Sequence, residues 1–364
     1  MQHSSGKLKS LQLELPSLCS GFFRSIAMNT SVLTRLAYAY DLRLFFGYLS
    51  KEESDFDGTD PRLMTAEHMQ RVTARHIEGF QDYLQYYVKT EDVDDSSDSE
   101  PRTTAVTNRE PGIMRKLSAL RSFFDYLFRN EIVLANVATL VNLPKRHSKP
   151  ILFMEEQEVK RMMDALDSGE GFSSSQRNYL LNTKARDTAI LMMFLGTGIR
   201  VSELVGLDLD HLDFSENSFL VTRKGGNQTI LYFPDAVAGC LKSYLSLREQ
   251  VVPQPGHEHA LFLSLQKRRI TQRAVENLVK KYATLGAPLK KRLSPHKLRS
   301  TFGTNLYRET GDIYLVADTL GHADVNTTRK HYAAMADSKR REAAKRIRLP
   351  DMGGSMQENI ADDE

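Results

Sequence analysis

Between Leu293 and Met335 the chain reads LSPHKLRSTFGTNLYRETGDIYLVADTLGHADVNTTRKHYAAM. Three histidines, an arginine in helical register with one of them and a late tyrosine fall in this stretch. His296 and Arg299 are three apart, which on a helix places them on one face of the same turns. Ser294 suits an N-cap and Pro295 the first helical position, so the helix is predicted to begin there. Free N–H groups at a helix start attract anions. A guanidinium can clamp two phosphate oxygens where an ammonium cannot. A tyrosine hydroxyl, with a reference pKa of about 10, attacks well only beside a base and in a positive field. Together these groups suit phosphoryl chemistry, in which charge gathers on equatorial oxygens and fixed cations are the main catalytic need. An HxxR pair alone is more often an ordinary surface pair, so the weight rests on its company.

That company is Arg200 and Lys224. Arg200, in GTGIRVSELVGLDL, follows a glycine-marked helix end and precedes another helix, with Glu203 in reach at i+3. Lys224 lies in TRKGGNQT, where Gly225 and Gly226 between two β-rich runs predict a hairpin. Singly, each residue has a plainer reading: a solvated turn for Lys224, a helix cap for His322 after Gly321, packing for Tyr332. All six in order are another matter. GTGIR with SEL, then PHKLR, then LGH is the signature of the tyrosine recombinases, and the chain resembles their Xer and phage-integrase group, Xer-type enzymes above all. LSALRSFFDYL resembles the helical DNA-clamping domain of that group, and the likeness spans roughly residues 20 to 348.

The resemblance implies roles. Arg200 and Arg299 match the arginines that hold the non-bridging oxygens of the scissile phosphate. Lys224 matches the lysine that protonates the leaving 5′ oxygen, His296 the acceptor of the nucleophile's proton, His322 a further hydrogen-bond donor to the phosphate, and Tyr332 the nucleophile. Glu203 matches an acid that supports the site without touching DNA. The implied activity is site-specific cutting and rejoining of duplex DNA through a 3′-phosphotyrosine. No metal is required, and no nucleotide cofactor either, because the phosphotyrosine keeps the bond energy. The implied partners are double-stranded DNA with inverted-repeat half-sites and a tetramer on two DNA sites. Whether one kind of protomer or two paralogues fill the tetramer, and whether a motor protein activates it, stays open. Two departures stand out: Tyr332 lies ten residues after His322 where nine is usual, and Ser300 follows Arg299 where the family often has His.

The implied fold is mainly α: a helical core-binding domain and a mixed α/β catalytic domain with a small antiparallel sheet, closing as a C-shaped clamp. The boundaries read as an N-terminal tail over 1–20, a helical DNA-binding domain over 21–143, a linker over 144–152, the catalytic domain over 153–348 and an acidic tail over 349–364. Within the first domain, VLTRLAYAYDLRLFFGYL and TARHIEGFQDYLQYYV have helical periodicity, with Thr73 as an N-cap. In IMRKLSALRSFFDYLF, Leu117, Leu120, Phe124 and Leu127 share one face, leaving Arg115, Lys116 and Arg121 as DNA-binding candidates with Lys145 and Arg146 of the linker. The acidic, Ser-rich residues 89–108 cannot bury a core and are expected to form a mobile loop.

Charge agrees with a polyanionic partner. The net +3 hides six acids in EDVDDSSDSE and five in DMGGSMQENIADDE; setting those eleven aside leaves 35 acids against 49 bases, a surplus of 14. No signal-peptide pattern or membrane-length apolar run is seen, which points to the cytoplasm, and the DNA partner that the resemblance implies would place the protein at the nucleoid. Two distant cysteines, Cys19 and Cys240, exclude a disulfide framework. Asp208, Asp210 and Asp213 near His211 raise a metal nuclease, but a strand there would turn them to alternate faces. GHEH at 256–259 offers two ligands without a third and reads as a loop. KGGNQT lacks the ending of a P-loop.

Two other functions compete with dimer resolution by a Xer-like enzyme. One is a mobile-element integrase, disfavoured because only about 20 residues precede the first expected helix. The other is a DNA-binding regulator without catalysis, against which the intact set of six argues.

Overall fold

The structure is a computed structural model. It describes residues 2–91, 102–145, 152–223, 225–290, 293–321 and 324–326. Lys224, His322, Tyr332 and Arg146, and the expected C-terminal helices after residue 326, lie outside the described residues. Two compact units divide the chain, Met1–Ser148 and Lys149–Glu364.

The first unit is helical. Its described helices are α1 (Gln2–Leu13), α2 (Cys19–Ser25), α3 (Val32–Glu52), α4 (Ala66–Arg71), α5 (Ala74–Tyr83) and α6 (Glu110–Arg129), with strands β1 (Tyr86–Glu91) and β2 (Arg102–Thr107) between the last two. The reason for α6 is visible in its sequence: Leu117, Leu120, Phe124 and Leu127 all bury at helical spacing, joined by Phe123. Phe123 and Phe124 meet Phe22, Phe45 and Phe46 edge-on or tilted, an arrangement that adds aromatic attraction to area burial.

Two expectations change here. The N-terminal residues do not form a tail: α1 buries Leu8 and Leu11 in the core, and Leu15 and Cys19 follow. The apolar i, i+3 spacing of Leu8 and Leu11 supplies the driving force. The flanks of the acidic stretch are not loop either. Tyr86–Glu91 pairs antiparallel with Arg102–Thr107 in continuous register, Tyr86 opposite Thr107 and Glu91 opposite Arg102. β-branched residues on both sides, with Tyr86 and Tyr87 on the first, favour the extended state over the pull of the acids.

The second unit contains α7 (Glu156–Ser168), α8 (Ser174–Thr197), α9 (Val201–Val205), β3 (Leu212–Asp213), β4 (Ser218–Thr222), β5 (Gln228–Tyr232), α10 (Asp235–Arg248), α11 (Gln272–Gly286), α12 (Pro295–Thr310) and α13 (Ile313–Leu320). The three strands form one antiparallel sheet in the order β3-β4-β5. The hairpin expected at Gly225-Gly226 is present, both glycines having positive φ. The core gathers around α8, whose Ala189, Ile190, Leu191, Met193 and Phe194 are fully buried. Asp187 enters that core with Arg186, which donates to it at 2.8 and 2.9 Å, and with Tyr282, whose hydroxyl donates at 2.9 Å. The acid is thus neutralised and saturated where burial would otherwise be costly.

Candidate active site

α8 ends at Gly198, whose φ of 62° is a left-handed cap that reverses the chain into Ile199 and Arg200. A β-carbon at Gly198 would strike Phe302 of α12, so the close approach of the two elements also demands glycine. Arg200 is the N-cap of α9. Its backbone N–H donates to Glu203 at 2.9 Å and its Nη1 donates to the same carboxylate at 2.7 Å. The Glu203 side chain is 3% exposed and that of Arg200 36%. A buried acid therefore holds an arginine whose side chain is itself part-exposed.

Arg299 comes to the same place from α12. It is buried, and donates through Nη1 to the Gly198 carbonyl and through Nη2 to the Leu320 carbonyl. Arg200 Nη2 donates to the Leu320 carbonyl at 3.2 Å and to that of Gly321 at 2.8 Å. Both guanidinium groups thus meet on the carbonyls that end α13, whose last C=O groups have no partner within the helix. Those carbonyls carry the negative end of the helix dipole, which offsets bringing two like charges together. α13 itself starts at Asp312, whose carboxylate accepts from the N–H groups of Tyr314 and Leu315, and ends at Gly321 in the left-handed conformation.

His296 stands at the exposed start of α12. Pro295 occupies the first helical position as expected, but Ser294, though at the N-cap, makes no side-chain capping bond. Its φ of −154° and ψ of 168° leave the cap position filled without the hydroxyl bond that usually accompanies it. His296 and Ser294 line a cavity of about 290 Å³ with Arg273, Glu276, Asn277 and Lys280 of α11. Arg273 and Lys280 were not foreseen. Their signal was in the sequence: 273, 276/277 and 280 share one face of α11, opposite the buried Val275, Leu278, Val279 and Tyr282.

A third arginine was also missed. Arg223, at the end of β4, donates through Nη2 to the Thr319 carbonyl at 3.3 Å. Arg200, Arg223 and Arg299 therefore all bind the turn formed by residues 319–321. Three of the sequence-predicted residues, Arg200, Arg299 and Glu203, are brought together.

The DNA-binding candidates of the first unit have partners of their own. Arg115 donates to Asp41 at 2.5 and 2.7 Å, joining α6 to α3. Burial pushes the Asp41 carboxyl up, and the Arg115 guanidinium pulls it partly back. Lys116 is buried and donates to Asn108 at 2.9 Å; burial lowers its pKa against the pull of Asp41. Packing thus gives Lys116 a structural place, contrary to the DNA contact expected of it. Arg121 donates to the carbonyls of Ala138 and Val141, closing the segment after α6. Lys145 is exposed.

The rejected metal cluster needs one correction. Asp208, Asp210 and His211 do bring ligand atoms within 4.8 Å of one another. The segment Leu209–His211 is a 3-10 turn, not a strand, so the faces do not alternate. Two of the groups nonetheless have partners: Asp208 pairs with Arg269, and His211 Nδ1 accepts the Asp208 N–H at 3.1 Å. Asp213 is set apart, accepting from Ser215 and Glu216.

Residues 152–339 match the sequence model of the phage integrase family. The tyrosine recombinase XerC of Caldanaerobacter subterraneus subsp. tengcongensis is 31% identical over 343 residues, covering 91% of this chain and 86% of that protein. Among solved structures, the XerH site-specific recombinase bound to palindromic difH in a post-cleavage complex superposes with a TM-score of 0.62 at 20% identity, over 88% of this chain and 81% of that one. The Tn1549 transposon integrase in complex with circular-intermediate DNA gives 0.61 at 18% identity, over 90% and 99%. At such identities the structural likeness is one of fold.

Proposed function

The chain belongs to the phage integrase family and is a Xer-like tyrosine recombinase, an enzyme of DNA strand exchange; from that premise we propose that it resolves chromosome or plasmid dimers, using Tyr332 as nucleophile. The observation that carries the site assignment is the convergence of Arg200 and Arg299 on the Leu320 carbonyl, one residue from the Gly321-His322 step.

The chemistry runs as a balanced exchange. The Tyr332 hydroxyl attacks the scissile phosphorus and passes its proton to His296. A phosphorus–tyrosine oxygen bond forms as the bond to the 5′ oxygen breaks, and that oxygen takes a proton from Lys224. Arg200, Arg299 and His322 hold the non-bridging oxygens, where charge accumulates. Attack by a 5′ hydroxyl of the second duplex returns both protons and frees the tyrosine. The part-exposed side chain of Arg200 supports this reading, as does the cavity beside His296 lined by Arg273 and Lys280, which suits a neighbouring phosphate.

DNA is the partner, read as inverted-repeat half-sites. Four copies of this chain assemble on two sites, in the cytoplasm at the nucleoid. A motor protein activating the second exchange fits the same scheme. The family likeness to XerC favours dimer resolution over integration.

Covalent trapping tests the proposal. Nicked duplexes drawn from candidate dimer-resolution sites and mobile-element ends of the source genome are incubated with the protein in EDTA and run on a denaturing gel. A protein–DNA band lost in Tyr332→Phe is expected, strongest with a dimer-resolution duplex. A band that persists in Tyr332→Phe removes that residue as nucleophile, and preference for element ends replaces resolution by integration.

A further inference from the structure

The sequence signature gives Arg223 no role, yet it occupies the joint between two parts of the site. At the hairpin, its backbone N–H donates to the Asn227 carbonyl at 2.7 Å and its carbonyl accepts from Gly226 N–H at 3.1 Å. These bonds close the strand ends on either side of position 224. Its side chain leaves the hairpin for α13, where Nη2 donates to Thr319. The guanidinium lies against Gly321 so closely that any β-carbon there would overlap it. Its Nε is buried and, among the described residues, has no hydrogen-bond partner.

The two ends of this bridge are next in chain to proposed catalytic residues. Arg223 precedes Lys224, and Gly321 precedes His322. The carbonyls of Leu320 and Gly321, on either side of that step, already bind Arg299 and Arg200. A hairpin by itself is a poor platform for a general acid, because two strands and a glycine turn leave its tip free to sway. Proton transfer to the leaving oxygen needs hydrogen-bond reach. A guanidinium that ties the hairpin to the same turn as the phosphate-binding arginines would fix that reach.

We propose that Arg223 is a positioning residue for leaving-group protonation: it ties the Lys224 hairpin to the end of α13 and so sets Lys224 against the 5′ oxygen of the scissile phosphate held by Arg200 and Arg299. The proposal rests on the recombinase reading above. Arg223 acts through Lys224; the unused Nε–H is not assigned to DNA.

A sulfur leaving group tests this directly. A 5′-bridging phosphorothiolate breaks its P–S bond to a thiolate, which needs no proton at neutral pH, so it bypasses the general acid. The probe is the duplex that traps best with the parent protein, made in oxygen and sulfur forms. Single-turnover cleavage is measured for the parent, Lys224→Ala, Arg223→Ala and Arg223→Lys, each checked by thermal melting. Arg223→Ala is expected to slow cleavage of the oxygen form by about 10- to 100-fold, less than the roughly 10²- to 10⁴-fold of a general acid lost outright, because Lys224 is still present. On the sulfur form it should return to within about threefold of the parent, as should Lys224→Ala. Arg223→Lys should fall between, since an ammonium keeps the charge but loses the planar fork. If Arg223→Ala stays equally slow on both forms while Lys224→Ala is rescued, the residue acts elsewhere and the inference is overturned. If Lys224→Ala is not rescued, Lys224 is not the acid and the inference falls with that assignment. A parent protein that cleaves neither form overturns the function itself, a distinct result.

Discussion

Glu203 offers a sharp test of how the site is held, because its cost to folding and to catalysis can be separated. The carboxylate is buried and accepts two bonds from Arg200, one from the backbone at the start of α9 and one from the guanidinium. Hydrogen bonds to charged groups contribute about 1.5–3 kcal/mol each, and neutral ones about 0.5–1.5. In Glu203→Gln one oxygen remains to accept, uncharged, and the amide N–H₂ faces a donor. One bond weakens by about 1 kcal/mol and the other is lost at about 1.5–3 kcal/mol, a total near 3 kcal/mol. Arg200 is partly exposed, so water takes up the freed guanidinium and no buried-charge penalty is added. For a unit of this size about 3 kcal/mol lowers the melting temperature by roughly 6–12 °C. Catalysis responds differently. Arg200 keeps its bonds to Leu320 and Gly321, so it shifts without leaving the site. A displacement on the scale of 1 Å costs about 100-fold in rate when geometry is decisive. Melting by circular dichroism and single-turnover cleavage on the trapped duplex are the two assays, with DNA affinity expected within about threefold of the parent. A Glu203→Gln protein that melts within 1 °C of the parent and cleaves at its rate would refute the reasoning, since the two bonds would then carry neither fold nor function.

Further outcomes are expected from the same structure. Gly198→Ala should destabilise the second unit by about 2–4 kcal/mol, combining the left-handed backbone cost with overlap on Phe302, and chemical denaturation measures it. Glu158 is driven up by burial but, more strongly in sum, down by the Lys290 ammonium and the Glu155 N–H, so its folded pKa lies below the usual carboxylate value. Its stabilising contribution is therefore full above the unfolded carboxylate pKa, near 4.3, and disappears as pH falls through the lower folded value. The stability gap between the parent and Glu158→Gln, measured by denaturation from pH 7 to pH 2, should be constant at neutral pH and shrink in acid; a gap that widens in acid would reverse the assigned sign.

The sequence by itself determined what depends on local spacing. The buried face of α6, the glycine stop of α8, the Arg200–Glu203 pair at i+3 and the hairpin at Gly225-Gly226 follow from a helical period, a positive-φ requirement or a side chain's reach along its own element. The order of motifs also marked Arg200 and Arg299 as partners, though 99 residues separate them. The sequence said less where neighbours compete. Residues 89–91 and 102–107 read as acidic loop, and 86–88 as the end of a helix that in fact stops at Tyr83, because composition and periodicity were weighed without the cross-strand pairing that orders them. The first residues read as a tail because α1 gains its stability from the packing of Leu8 and Leu11, not from a long periodic pattern. Lys116 read as a DNA contact because only the packed structure places it beside Asn108 and Asp41. The place of Arg223 at the joint of the site was decided by tertiary structure alone. It is one basic residue among many in sequence, and gains meaning only when the end of α13, about a hundred positions later, is folded against it. Local geometry is written in adjacent residues; convergence of distant backbone carbonyls on a side chain exists only after the chain has closed.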